Sequence, residues 1–289
     1  MPWTSVHIHL ESVGAAADTF LIDHLRPELD RELAAGGLRR WFFLRYSEGG
    51  PHLRLRFLPT PRRASRGRVP TGSTARRRAI VHGAAFADRL AARVATAGGS
   101  LHCERYDRAA HSFGDTPESV YAELLNEATS RLGLGLVQAF GPERRGERWI
   151  ALTCALGRVQ QQASATSSEL AAELAASCDF AFRAARTLGL DAGSDGAEDE
   201  RSRRARAVRA AWPHVIASLP GALTEPLVAL LRRVRRRGPA GREVATHALH
   251  LLCNKAGYSL AEERASFSAL QDLPPRLVYP STTRDRSRS

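Results

Sequence analysis

Hydrophobic and polar positions alternate along residues 3–10, WTSVHIHL, and that period of two predicts a β-strand. A helix is expected from about Gly14 to Ala35. Two β-rich runs follow in RRWFFLRYSEGGPHLRLRF, and the intervening Ser-Glu-Gly-Gly-Pro predicts a hairpin with a glycine-containing loop. A second helix is expected over about 78–97, and SLHCERY returns to strand. The order is therefore strand–helix–strand–strand–helix–strand. Beyond residue 115 the pattern is almost wholly helical, with helices expected near 146–164, 167–188, 205–218, 222–236 and 242–255. Pro117 suits a first helical position with Asp115 or Thr116 as cap. Thr166-Ser-Ser-Glu169 and Ser259-Leu-Ala-Glu262 have the form of capping boxes.

These elements predict an α+β chain: an N-terminal mixed, mainly antiparallel β-sheet with packed helices, followed by a largely helical C-terminal half. One domain is expected over 1–280, with its sheet part in 1–115 and its helical part in 116–280. Residues 59–77 and 189–204 lack a hydrophobic period and read as loops; the tail 281–289 reads as loose.

Composition narrows the class. With 43% apolar and 25% charged residues, the chain is globular rather than disordered. The formal net charge is +12, and Lys255 is the only lysine, so 41 of the 42 basic residues are arginine. A coding bias toward Ala and Arg and an acidic partner are alternative readings of that skew. The N-terminus lacks the basic and apolar regions of a signal peptide, and no apolar run is long enough for a membrane span. The four cysteines are far apart without a C-x-x-C pair, which fits buried thiols in a reducing cytoplasm better than disulfides or zinc. There is no phosphate-binding loop, no G-x-G-x-x-G and no G-x-S-x-G. The arginine runs within 201–209 and 232–237 lack interleaved aromatics, which argues against nucleic acid as partner.

Three segments carry candidate chemistry. In HLRLRF, strand geometry places His52, Arg54 and Arg56 on one face and Leu53, Leu55 and Phe57 on the other. An imidazole beside two guanidiniums forms either a solvated face or a platform for carboxylates, peptide carbonyls or a developing oxyanion. Arg45 and Tyr46 are expected to extend it. Tyr106, His111 and Ser112 lie where a strand runs toward a helix N-terminus and supply donors and proton-transfer groups. Near the C-terminus His247, His250 and Asn254 share a helical face, without the further ligands a metal would need.

Taken together, these segments resemble a known family. WFFLRYSEGGPHLRLRF and HLLCNKAG resemble motifs of the lantibiotic dehydratase C-terminal, glutamate-elimination domain, also called the thiopeptide-type bacteriocin biosynthesis domain. The likeness covers roughly residues 3 to 265, with Lys255 where arginine is usual. Elimination domains carry an approximate Tyr-x-x-Glu-x-Glu-Arg-Tyr-Gly-Gly between the two motifs. Here Tyr106 and Gly114 are kept, while Ala109, His111, Ser112 and Phe113 replace the acids, the arginine and the second tyrosine.

That departure is similar to stand-alone thiopeptide pyridine synthases, a branch of the same family. The resemblance implies joining of two dehydroalanines of a modified precursor peptide by a formal aza-[4+2] cycloaddition, with loss of water and of the leader peptide. It implies no metal, redox cofactor or nucleotide. It also implies a partner with an acidic leader and a dehydrated, azole-bearing core, and no membrane. Tyr106, His111, Ser112 and His250, with Ser100 as a further candidate, would be the catalytic donors and acids. His52, Arg54, Arg56, Arg45, Tyr46 and Asn254 would bind substrate. A glutamate-elimination subunit and a non-catalytic leader-binding module are the alternative expectations.

Overall fold

A computed structural model describes residues 3–60, 72–106, 113–114, 116–187 and 197–273. Two compact units divide the chain: residues 1–145 with 254–257, and 146–253 with 258–289.

The first unit is built on a four-stranded sheet: β1 (Thr4–His9), β2 (Leu38–Tyr46), β3 (His52–Pro59) and β4 (Ser100–Arg105). The spatial order is β2-β3-β1-β4, and every neighbouring pair is antiparallel. Helices connect β1 to β2 and β3 to β4, which makes this a split β-α-β topology and bears out the expected strand and helix order. The first connection holds α1 (Ala15–Phe20), a π-helical turn (Leu21–Leu25) and α2 (Arg26–Ala34). The π turn ends just before Pro27, where the helix loses a backbone donor. The second connection is α3 (Gly72–Thr96).

Alternation along the strands separates two faces. Val6, Ile8, Trp41, Phe43, Leu53, Leu55 and Phe57 form one core with Phe20, Leu25, Leu29, Phe86, Leu90 and Val94 of the helices. The helix α4 (Pro117–Phe140) adds Leu134 and Val137 to this core. Pro117 is its first residue after the Thr116 cap, as expected.

The outer edge of β2 is closed by side chains. Ser130 of α4 accepts a hydrogen bond from the Phe43 N–H at 3.1 Å. Two residues on, the Asn254 amide clasps Arg45: the Arg45 N–H donates to Oδ1 and Nδ2 donates to the Arg45 carbonyl, each at 2.9 Å. The side chains thereby stand in for a neighbouring strand on an edge that would otherwise recruit one.

The second unit holds most of the helical half: α5 (Arg145–Ala163), α6 (Ser167–Thr187), α7 (Ala197–Ser218), α8 (Gly221–Arg235), α9 (Pro239–Lys255) and α10 (Leu260–Gln271). The last two residues of α9 belong to the first unit. Gly157 of α5 admits Trp212 and Leu270 so closely that a Cβ there would lie 2.6 Å from the Leu270 Cδ2. The Ser259 box forms with both reciprocal bonds. In the Thr166 box the Glu169 N–H donates to the Thr166 hydroxyl, but the Glu169 carboxylate takes the Ala165 N–H instead of that of Thr166.

Two expected loops are shorter than their sequence suggested. α3 already begins at Gly72 and α7 at Ala197, because arginine-rich stretches propagate a helix without an apolar period. Residues 61–71 and 189–196 of those loops, and the tail 281–289, lie outside the described residues.

Candidate functional site

The strand registers place the second face of the sheet in three cross-strand rows. The first is Tyr46, His52, His9 and Ser100; the second is Leu44, Arg54, His7 and His102; the third is Phe42, Arg56, Ser5 and Glu104. His52, Arg54 and Arg56 thus share a face as the alternation predicted. Tyr46 extends this face as expected, and β1 and β4 add three histidines and a glutamate to it.

The rings stack across the strands. His52 lies parallel to Tyr46 at 5.5 Å, to His7 at 5.1 Å and to His9 at 4.9 Å, while His102 meets His9 edge-on at 5.3 Å. Hydrogen bonds set the His52 tautomer. Nδ1–H donates to the Gly50 carbonyl at 2.8 Å, so Nε2 accepts from Arg54 Nε at 3.1 Å. The Arg54 guanidinium also lies 3.7 Å from the Tyr46 ring centre, a close cation–π contact.

Burial disfavours the charged form of three groups on this face. His7 is buried, and its pKa falls to about 4, first through desolvation and then through Arg54, His52 and Arg56, against the opposing pull of Glu104. Its contact with Glu104 at 3.1 Å is therefore a hydrogen bond donated by a neutral imidazole at neutral pH. His9 is lowered as well, by burial and by its His52 and His102 neighbours. Arg56 is lowered chiefly by burial, with Arg54 adding to the effect and Tyr106, Tyr46 and Glu123 opposing it.

Tyr106 extends the face past the end of β4. Its hydroxyl donates to Glu123 at 3.0 Å, its ring lies 4.7 Å from the Arg56 guanidinium, and Trp3 packs beside it at 6.1 Å. Ser100 stands at the other end of β4, roughly 20 Å away along an extended strand. It is exposed and 3.5 Å from His102, so it does not join Tyr106. His111 and Ser112 lie outside the described residues.

Two expected binding residues have other work. Arg45 lies on the helix-covered face, because it is one residue out of phase with Leu44 and Tyr46. Its guanidinium is buried in an ion pair with Asp18 at 2.7 Å and donates to the Val13 and Lys255 carbonyls. Gly257, at φ +86°, passes so close that a Cβ would lie 3.2 Å from that guanidinium. Arg45 does not extend the platform. The Asn254 amide, expected to hold substrate, is engaged by the Arg45 main chain.

Lys255 is fully buried and donates to the Asn126 carbonyl at 3.0 Å, Asn126 Oδ1 at 2.7 Å and Thr129 Oγ1 at 2.6 Å. Three acceptors favour the ammonium, but burial outweighs them and, with Arg56 nearby, holds its pKa well below the usual lysine range. In the second unit His250 lies in α9, with Phe180 at 5.2 Å and His247 at 5.9 Å. No cluster of metal ligands forms among the described residues.

His7, His9, His102, Glu104 and Glu123 escaped the sequence reading. A signal for the histidines was present, since V-H-I-H alternates with the same period as H-L-R-L-R. Which strands neighbour each other, however, is not written in either run.

Among curated proteins none matches this chain significantly. The tRNA-dependent lantibiotic dehydratase MibB from Microbispora sp. 107891 shares the fold at a TM-score of 0.59 and 17% identity, over 94% of this chain. The chain spans only 28% of that protein's length. TsrL aligns at a TM-score of 0.57 and 16% identity over 93% of both chains. TbtD, a pyridine synthase from thiomuracin biosynthesis, aligns at 0.57 and 16% identity over 94% of this chain and 97% of its own. Residues 3–273 match the family model described as lantibiotic biosynthesis dehydratase C-term, and the chain belongs to that family.

Proposed function

We propose that this chain is a pyridine synthase of thiopeptide biosynthesis, acting in the cytoplasm as one elimination-like domain over residues 1–280. One observation carries the reading. Where the elimination enzymes it resembles have two glutamates and an arginine, this chain has Ala109, His111 and Ser112. It therefore keeps His250, Arg54 and Arg56, while Ser112 lacks the guanidinium charge that would hold the leaving glutamate.

The substrate would be a precursor peptide bearing two dehydroalanines and an acidic leader. Arg54 and Arg56 hold its carbonyls, with the His52 and Tyr46 planes beneath the chain. Tyr106, His111, Ser112 and His250 supply the protons that convert one amide to its iminol form. The iminol azadiene closes on the second dehydroalanine by forming two bonds. Water and then the leader, as a carboxamide, depart to leave the aromatic ring. Holding both reacting ends of one chain makes the closure effectively unimolecular, which supplies much of the rate.

Incubation of the protein with such a peptide, followed by mass spectrometry, tests the proposal. A macrocycle smaller than the substrate by water plus leader carboxamide is expected. An unchanged peptide under conditions where binding is demonstrated refutes it. A glutamylated precursor losing glutamate establishes elimination instead.

A further inference from the structure

In the second unit, α9 and α10 bring a histidine against a buried carboxylate. The contact from His250 Nδ1 to Glu263 Oε2 is 2.6 Å, and the side chains are 21% and 2% exposed. Solvent thus reaches the imidazole and not the carboxylate. The other oxygen, Oε1, is buried and has no hydrogen-bond partner among the described residues. The neighbouring Glu262 does not share this task, because its carboxylate closes the cap of α10 on Ser259. Phe180 and His247 pack on the His250 ring and limit its rotation.

A carboxylate buried with one partner and one empty oxygen costs stability, and an apolar or amide side chain of similar size would fill the space at less expense. What only the carboxylate provides is a strong acceptor for an Nδ1 proton. It commits the imidazole to the Nδ1–H tautomer and leaves Nε2 as the nitrogen that exchanges protons.

We propose that Glu263 is a positioning residue for His250, making Nε2 the atom through which this histidine moves protons in the reaction. The inference rests on the reading that His250 takes part in that chemistry. Nε2 accepts a proton in one step and returns it in a later one, so the pair ends each cycle unchanged. Glu263 keeps its hydrogen bond throughout and never touches substrate.

The full chain with ¹⁵N-labelled histidine provides the test, since long-range ¹H–¹⁵N correlations show which ring nitrogen carries the proton. The wild type should hold His250 as Nδ1–H. Glu263→Gln, whose amide can donate to Nδ1, should shift it toward Nε2–H, and Glu263→Asp should retain much of the original signature. Turnover of the dehydroalanine peptide should fall about 100-fold or more in Glu263→Gln, in kcat with little change in KM. Adding Glu263→Gln to His250→Ala should cost nothing further. An Nε2–H signal in the wild type overturns the inference, as does an unchanged tautomer in Glu263→Gln. Full turnover by His250→Ala in an otherwise active enzyme overturns it as well. If no dehydroalanine peptide is converted at all, the pyridine synthase reading fails, while the tautomer signals still decide the role of Glu263.

Discussion

Acidification should loosen the first unit through His7. In the folded chain this imidazole has a pKa of about 4, against 6.5 for the free side chain. As pH falls below 6.5 the unfolded chain takes up a proton that the folded chain refuses. Stability is therefore complete above about pH 6.5 and declines down to about pH 4, below which both forms are protonated. At about 1.4 kcal/mol per pKa unit, the loss attributable to His7 reaches about 2.5 kcal/mol at pH 4.5. The ring is nine-tenths buried, so solvent screening removes little of this. His9 titrates with the same sign, and Glu28 adds acid sensitivity of its own. Burial pushes the Glu28 carboxyl up, but hydrogen bonds and charge from Arg93, Arg31 and Arg89 bring it below its usual value. The perturbation must therefore isolate His7. His7→Gln retains an N–H for Glu104 without a titrating ring. Urea unfolding followed by tryptophan fluorescence at pH 7.5, 6.5, 5.5 and 4.5 should give a shallower pH dependence for the variant. The two stability curves should converge by about 2.5 kcal/mol at pH 4.5. Parallel curves across the whole range would contradict a lowered His7 pKa in the folded chain.

Arg45→Met should cost about 3–5 kcal/mol in urea unfolding, because it removes the guanidinium paired with the buried Asp18 carboxylate; adding Asp18→Asn should recover part of that loss. Asn254→Ala removes both bonds to the Arg45 main chain, and should cost about 2 kcal/mol. Hydrogen exchange should show the Arg45 amide exchanging faster while β1 amides stay protected. Burial lowers the Lys255 pKa in the folded chain, so the wild type should gain stability relative to Lys255→Met as pH rises toward about 10.4; equal slopes in urea unfolding would contradict that lowering. Tyr106→Phe keeps the ring on Arg56 but loses the hydroxyl bond to Glu123, so stability should fall by only about 1 kcal/mol. Turnover of the dehydroalanine peptide should fall much further.

The sheet and its hairpin could be read from residues because alternation and turn chemistry are local. The same alternation separated Leu53, Leu55 and Phe57 from His52, Arg54 and Arg56 without knowledge of any neighbour. Arg45 shows where such reading stops. Its place in the strand defines its face, yet proximity to Tyr46 and the turn suggested the wrong one, and its partner Asp18 lies 27 residues away. Asn254 was found through a motif, but its partner, a main-chain edge more than 200 residues earlier, has no side-chain signature. The histidine face assembles from β1, β3 and β4, so it required the strand order. Glu263 follows a recognisable capping box, but whether it points at His250 depends on how α10 packs.

Pyridine synthase activity is read most directly at the leader peptide's new C-terminus. After reaction of a bis-dehydroalanine precursor with the purified chain, high-resolution mass spectrometry of the released leader should find a carboxamide, formed together with the pyridine macrocycle. A leader released as a carboxylate, or glutamate lost from a glutamylated precursor while the leader stays attached, would contradict the assignment.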